Sequence, residues 1–166
     1  SVPPVCASSP EKGVFLVASE KITDPRFRGS AILIMQHGPT GSIGLIVNKP
    51  LSITLNHAFT GLPADLDGQQ PLFYGGPVSP NVTWVLFSGE SEQSFDSVEI
   101  VPGVFVANAA RFAATTKSAV GFKPIRFLSG YAGWAPGQLE KEMERGDWDI
   151  SPARAVDIFD GKPELL

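Results

Sequence analysis

His37 is the side chain in this sequence that most invites a catalytic interpretation. It ends an apolar stretch just before Gly38, with Asp24 and Ser30 upstream. Serine, histidine and aspartate can form a nucleophilic triad, although geometry rather than spacing along the chain defines one. No Gly-x-Ser-x-Gly elbow accompanies them. The sequence therefore favours structural roles: Asp24 as a cap, Ser30 as a buried hydroxyl and His37 as a hydrogen-bonding turn residue.

A second set of residues has the chemistry of ligand binding. Asn48 precedes Lys49-Pro50 and could present its amide to a ligand, although an Asn before a proline turn usually satisfies local backbone groups. Gly75 and Gly76 precede Pro77 and predict a tight bend, with close approach of a ligand to bare backbone as the alternative. Both alternatives stay open at this level.

The stretch Gly130–Glu142 combines glycines, aromatics and a proline before a charged segment. Pro136 suits the first position of a helix, which places Trp134 and Leu139 as a hydrophobic staple. Gln138 then stands where its side chain reaches back to the backbone N–H of the N-cap. This predicts a strand-to-helix joint. The functional alternative is a small pocket formed by the Trp134 ring, Gln138 and the free N–H groups of the helix start.

These special turns would form one site if they converged. We therefore predict a common cleft formed by Asp24–Ser30, His37, Asn48, Gly75–Gly76 and Trp134–Gln138.

The sequence gives little support for a metal site or a bound cofactor. The chain has two histidines, His37 and His57, and one cysteine, Cys6, which is too few nitrogen and sulfur ligands for a structural zinc site. One cysteine also precludes an intrachain disulfide. We expect no metal and no cofactor.

Charge and length limit the possible partners. The 166 residues carry a net charge of −4, and acidic residues outnumber basic ones eight to four between residues 136 and 166. Nucleic-acid binders usually show a basic patch, so direct nucleic-acid binding is disfavoured. No apolar run approaches the roughly 18 residues of a membrane span. We expect a cytoplasmic protein, and an exported form stays open because the sequence begins with Ser rather than Met.

The pattern of apolar segments predicts an α+β fold. Residues 1–12 resemble a flexible leader, and residues 13–166 are expected to form a single domain. Strands mostly follow one another, with three or four short helices between them, rather than alternating regularly with helices. Predicted strands are Val14–Ala18, Ala31–Met35, Ile43–Val47, Leu72–Tyr74, Val82–Phe87, Val98–Val101, Val104–Ala107, Ile125–Leu128 and Ala155–Phe159. The glycines and proline between Ala31–Met35 and Ile43–Val47 predict that these two strands form a hairpin. Predicted helical segments are Pro25–Arg28, Thr54–Phe59 with a cap near Ser52 or Thr54, Ala109–Ser118 with Asn108 as its cap, and the segment from Pro136. In this last segment Glu142 can pair with Arg145, and Gly146 ends the helix.

Several of these motifs together resemble the AlgH/YqgE family of bacterial proteins. The resemblance rests on Gly13–Ala18, Asp24-Pro25 with Phe27 and Ser30, His37, Gly41–Leu51, Gly75–Val78 and Gly130–Glu142 through Trp148. It implies a complex mixed sheet with a small β-barrel and flanking helices. Family members are often labelled transcriptional regulators, and the resemblance supplies no catalytic residues. We therefore expect a non-enzymatic binding or regulatory module for a protein partner or small ligand, with a hydrolase-like enzyme using His37 as the alternative.

Overall fold

A computed structural model describes residues 9–89 and 96–160 of the chain. Most of the predicted leader, including Cys6, lies outside the described residues. Those residues contain strands and short helices and confirm the α+β class. The strands are β1 (Val14–Ala18), β2 (Ala31–Gly38), β3 (Gly41–Ile46), β4 (Pro50–Thr54), β5 (Pro71–Tyr74), β6 (Val78–Ser88), β7 (Ser97–Val101), β8 (Val104–Asn108), β9 (Ile125–Trp134) and β10 (Trp148–Pro152). The helices are α1 (Leu55–Ala58), α2 (Ala109–Thr115), α3 (Gln138–Glu144) and α4 (Ala155–Asp160).

The strands form one mixed, mainly antiparallel sheet in the order β10-β1-β2-β3-β9-β6-β8-β7. The pair β4–β5 joins this path through β5, which runs parallel to β9. The sheet curls so far that a Cβ atom at Gly13, beside β1, would lie 3.0 Å from the backbone oxygen of Ile100 in β7. No ladder closes this gap within the described residues, so the expected small β-barrel is wrong and the sheet is open.

Buried side chains form three apolar clusters. The first lies inside the curl of the sheet and includes Phe15, Leu33, Leu45, Leu86 and Leu128. The second packs α1 and α2 against the sheet and is rich in phenylalanine. The third packs Leu139 of α3 over β1–β3 and β9. Members of the second cluster include Leu55, Val85, Phe87, Phe105, Phe112 and Phe127.

The caps of α1 and α2 agree with local sequence signals, whereas the last element does not have the predicted secondary structure. Thr54 and Asn108 cap α1 and α2, because their side chains accept bonds from His57 N and Arg111 N. The prediction of a strand over Ala155–Phe159 is wrong, since this segment is helix α4. A short apolar run does not separate strand from helix by itself.

Other parts of the secondary structure also differ from the sequence prediction. Pairing with other strands extends β9 through the glycine-rich stretch to Trp134. Strands β4 and β10 were not predicted, because long-range partners rather than local composition create them. The expected helical turn at Pro25–Arg28 is a hydrogen-bonded turn, in which the backbone N–H groups of Phe27 and Arg28 bond to Asp24 O.

Within the described residues, no helix is long and apolar enough to cross a membrane.

Candidate functional site

Three segments distant in sequence meet at a cleft of about 410 Å³. They are the turn after β1, Pro77 just before β6, and the continuous stretch from the end of β9 through α3 to the start of β10. We call this space the tryptophan cleft. Its lining comprises Lys21, Ile22, Thr23, Asp24, Arg26, Phe27, Pro77, Gly133, Trp134, Gln138, Glu142, Arg145, Asp147 and Trp148. The volume lies within the range of small-molecule pockets.

The aromatic wall of the cleft has fixed, nearly perpendicular rings. Trp148 lies between Phe27 and Trp134, with ring centroids 6.3 and 6.2 Å apart and interplanar angles of 84° and 80°. Edge-to-face contacts of this kind suit the aromatic quadrupole. Trp134 and Trp148 are almost completely buried. They form a rigid wall rather than mobile side chains.

Glu142 organises the polar part of the cleft. Its Oε1 atom accepts hydrogen bonds from the indole nitrogens of Trp134 at 3.0 Å and Trp148 at 2.8 Å. Its Oε2 atom accepts a third bond from Gln138 Nε2 at 2.9 Å. A carboxylate held by three donors is fixed in orientation, so Glu142 is a preorganised acceptor rather than a freely rotating surface charge.

The start of α3 positions Gln138 as the sequence predicts. Its Oε1 atom accepts a bond from the backbone N–H of Ala135 at 3.0 Å, while its amide nitrogen reaches Glu142. The first regular residue of the helix is Gln138, two residues beyond the predicted start at Pro136, because Gly137 takes a left-handed conformation with φ 80°. The Gln138 amide therefore links the helix start to the cleft.

The end of α3 places a second charge pair beside the cleft. Gly146 ends the helix with φ 77°, and the bonds from Gly146 N to Met143 O and from Asp147 N to Glu142 O form a Schellman motif. The predicted pair between Glu142 and Arg145 is wrong. Arg145 instead bonds Asp147 at 2.7 Å, because the two indoles and Gln138 hold the Glu142 carboxylate.

Three cationic side chains, Lys21, Arg26 and Arg145, belong to the lining of the cleft. Arg26 forms an exposed ion pair with Asp24 at 2.7 Å and lies over the Phe27 ring at 5.5 Å. The hydrogen bond from the Arg26 side chain holds the pKa of Asp24 below its usual value, and Asp24 raises that of Arg26. Lys21 donates to the backbone oxygen of Arg145 at 2.6 Å. Three cations and three carboxylates thus line the cleft, with no formal net charge.

Asn48 supports the cleft from outside. Its side chain accepts a bond from Ala31 N at 2.9 Å and donates one to Gly29 O at 3.0 Å. The neighbouring Lys49 donates to Arg28 O at 2.7 Å, and burial lowers the pKa of Lys49. Both side chains hold the turn that carries Arg26 and Phe27, so Asn48 is a positioning residue.

Gly75 and Gly76 permit close backbone contact within the sheet. Cβ atoms there would collide with the backbone oxygen of Gly130 and with the backbone of Tyr131, respectively. Gly76 also has φ 150°, which an L-residue rarely adopts. These glycines allow the chain to pass against β9, and only the following Pro77 lines the cleft.

His37 lies apart from Asp24 and Ser30. Its Nδ1 atom contacts Ser42 Oγ at 2.5 Å, and its Nε2 atom lies 3.6 Å from a carboxylate oxygen of Glu140. Ser30 is fully buried, and its hydroxyl has no hydrogen-bond partner within the described residues. The three candidates do not form a Ser–His–Asp arrangement.

Asp24, Trp134 and Gln138 are therefore the sequence candidates that the fold brings together. His37, Ser30, Asn48, Gly75 and Gly76 are not part of the lining. Several lining residues were not predicted from the sequence. Trp148 could have been, because it already ended the motif on which the family resemblance rests. Arg26 and Phe27 fall inside the predicted segment Asp24–Ser30, and the missed residues include Lys21, Glu142, Arg145, Asp147 and Trp148. Among the described residues, no group of three or more His, Cys, Asp or Glu side chains is arranged to hold a metal ion.

Comparisons with known proteins agree with the motifs. A family model described as AlgH-like matches residues 15–166. A UPF0301 protein of Chlamydia muridarum is 35% identical over 156 residues, covering 94% of this chain and 82% of the relative. UPF0301 protein CT0663 of Chlorobaculum tepidum is 33% identical over 156 residues, covering 93% and 81%.

Two solved structures are similar in fold. Protein DIP2367 of Corynebacterium diphtheriae has a TM-score of 0.77 at 23% identity, covering 91% of this chain and 80% of that protein. The AlgH protein of Pseudomonas aeruginosa has a TM-score of 0.70 at 26% identity, covering 92% and 82%. With the family model spanning nearly the whole chain, the conclusion is direct: this protein belongs to the AlgH-like family.

Proposed function

We propose that this protein is a non-enzymatic binding module whose ligand site is the tryptophan cleft. The ligand is a small polar molecule that carries both a positive and a negative group, such as a free amino acid or short peptide. The observation that carries the proposal is the Glu142 carboxylate, held by three donors in a cleft whose lining has equal numbers of cationic and anionic side chains.

The positive group of the ligand would bind Glu142. A carboxylate offers about four acceptor positions, and the protein fills three of them. Both indole bonds reach Oε1, so the remaining capacity lies on Oε2 beside Gln138. An ammonium group placed there completes the shell of the carboxylate.

The negative group would bind Arg26 or Arg145 at the opening. Both side chains are more than half exposed and are paired with Asp24 and Asp147, respectively. Exposed ion pairs contribute little to stability, so a ligand carboxylate can share or exchange these partners at small cost. The lining has no formal net charge, which favours a ligand with balanced charges over a polyanion. This also agrees with the expectation against nucleic acid.

Isothermal titration with free amino acids and dipeptides tests the proposal, with Arg26→Ala and Arg111→Ala as matched variants. Arg111 lies on α2, outside the cleft, and forms a longer exposed pair with Asp96 at 3.7 Å; the Arg26 and Arg111 side chains are similarly exposed, at 58% and 62%. We expect Arg26→Ala to weaken binding by about tenfold, equivalent to about 1.4 kcal/mol. Arg111→Ala should leave binding unchanged. Equal effects of both variants, or no binding by the unaltered protein, would refute the assignment of the cleft.

The same chemistry connects the cleft to a protein partner. A peptide end carries one of the two charges, so dipeptides blocked at the amino or the carboxyl end separate the contributions of Glu142 and the arginines. If a peptide with only a free amino end binds as well as the unblocked one, the ligand is the terminus of a partner protein. A regulatory role would then operate through occupancy of this cleft.

A further inference from the structure

The tryptophan cleft continues into a second cavity of about 330 Å³, which we call the side groove. Gly133 and Trp134 line both cavities. The side groove is formed by the β2–β3 hairpin, β9 and the start of β6, and its further lining includes Gln36, Thr40, Ile43, Val78 and Tyr131. Because the two cavities share residues, a ligand bound in the cleft can extend into the side groove.

The residue between the two cavities is a glycine that the fold does not require. The backbone of Gly133 lies outside the left-handed region that favours glycine. A Cβ atom there would lie 3.7 Å from the side chains of Tyr131 and Val78, which is an ordinary van der Waals distance. Gly133 is also exposed. The absence of a side chain therefore leaves space for a ligand where the cavities meet.

The lining of the side groove suits a neutral chain with polar and apolar parts. It contains no Asp, Glu, Lys, Arg or His side chain. The Gln36 amide and the Thr40 hydroxyl are exposed and have no hydrogen-bond partner within the described residues. Val78, which is 37% exposed, adds apolar surface. A peptide backbone offers a donor and an acceptor at each residue, and a side-chain amide and a hydroxyl can pair with both.

The contacts of Glu142 determine the direction of such a chain. Glu142 accepts a hydrogen bond from the indole of Trp134, which is one of the two shared residues. An ammonium group bound to Glu142 is therefore separated from the side groove by a single side chain. Arg26 and Arg145 line the cleft and not the side groove, so a negative group bound to them belongs to the first residues of the chain.

We infer that the ligand is the amino-terminal segment of a polypeptide, an inference that rests on the proposed function of the cleft. Its ammonium group binds Glu142, and an acidic side chain near the amino end binds Arg26 or Arg145. The following residues are uncharged and lie in the side groove, where their backbone groups pair with Gln36 and Thr40. The ligand forms no covalent bond with the protein.

Two peptides that begin alike test the inference by isothermal titration of the full chain. They are Ala-Asp amide and Ala-Asp-Ala-Thr-Ala amide, each with a free amino end. We expect the pentapeptide to bind about tenfold more tightly, since only it reaches the side groove. Acetylation of its amino end should weaken binding at least about tenfold, because the charge that Glu142 binds is removed. Unchanged binding after acetylation would contradict the direction of the chain.

The same titrations separate the inference from the proposed function. Equal affinities of the two amides would overturn the inference and leave the proposed function standing, because the dipeptide reports on the cleft alone. If free dipeptides bind and neither amide does, the inference is again wrong by itself. If no peptide binds, the proposed function is wrong as well.

Two matched variants locate the longer peptide. Val78→Phe fills part of the side groove, and Val120→Phe changes a valine that is 76% exposed and outside its lining. Val78→Phe should remove the advantage of the pentapeptide and leave the dipeptide amide unchanged, since Val78 does not line the cleft. Val120→Phe should leave both affinities unchanged.

A further variant keeps the test open if Val78→Phe does not fold. Gln36→Ala removes one hydrogen-bonding side chain from the side groove and should weaken the pentapeptide about two- to tenfold, the range of one neutral hydrogen bond. A pentapeptide that keeps its full advantage in this variant would contradict binding in the side groove.

Discussion

Replacing Glu142 tests the reasoning about the tryptophan cleft most directly, because one carboxylate serves three donors. Glu142→Ala leaves the indole N–H groups of Trp134 and Trp148 without their acceptor, although both residues are more than 90% buried. Each such donor costs about 1–3 kcal/mol, so the two together predict a loss of about 2–6 kcal/mol in the free energy of unfolding. That is a large part of the stability of an ordinary domain.

Glu142→Gln separates the acceptor from its charge. A glutamine carbonyl can still accept both indole bonds, but hydrogen bonds to a charged group exceed neutral ones by roughly 1 kcal/mol. We therefore expect a loss of about 1–2 kcal/mol. Glu144→Ala is the matched control, since Glu144 is exposed on the same helix and has no side-chain hydrogen bond within the described residues. It should change stability by less than about 0.5 kcal/mol.

Urea unfolding measured by circular dichroism gives all three values. Thermal unfolding should follow them, with a midpoint lowered by about 2–4 °C for each kcal/mol in a chain of this length. The order of losses should be Ala, then Gln at position 142, then Ala at position 144. If Glu142→Ala were no more destabilising than Glu144→Ala, the indole bonds would not be holding the cleft. If Gln were as damaging as Ala, the charge rather than the acceptor would be decisive.

Two further predictions concern Gly76 and Asp65, which do not line the cleft. Gly76→Ala should destabilise the protein by at least about 2 kcal/mol in urea unfolding, because strain at φ 150° adds to a collision with Tyr131. Gly133→Ala is the control, since a Cβ atom there would meet side chains only at 3.7 Å, and it should change the free energy of unfolding little. Asp65 accepts bonds from Ala119 N at 2.8 Å and Ser118 Oγ at 2.7 Å, with the Ala119 bond as the main cause of its lowered pKa. A carboxyl whose pKa is lower in the folded state stabilises the fold above its unfolded pKa of about 4 and loses this effect as the pH falls through the folded value. Asp65→Asn should therefore flatten the acid limb of stability against pH, and an unchanged limb would contradict the role of Asp65.

Local sequence was sufficient for features that neighbouring residues create. The hairpin of β2 and β3, the caps at Thr54 and Asn108, the Gln138 bond to the helix start and the glycine end of α3 all follow from interactions spanning a few residues. The family resemblance also rested on sequence alone. It did not reveal that the curled sheet stays open, because closure depends on whether distant edge strands pair.

Only the tertiary structure decided which residues line the tryptophan cleft. Pairing of β10 with β1 brings Trp148 beside Trp134, although their positions along the chain give no register. Both indoles and Gln138 orient the Glu142 carboxylate, and Arg145 bonds Asp147 instead. Asn48 and Gly75 likewise became supports of the fold because of backbone groups far away in sequence. Local chemistry thus determined which residues were unusual, and long-range packing determined which of them line the cleft.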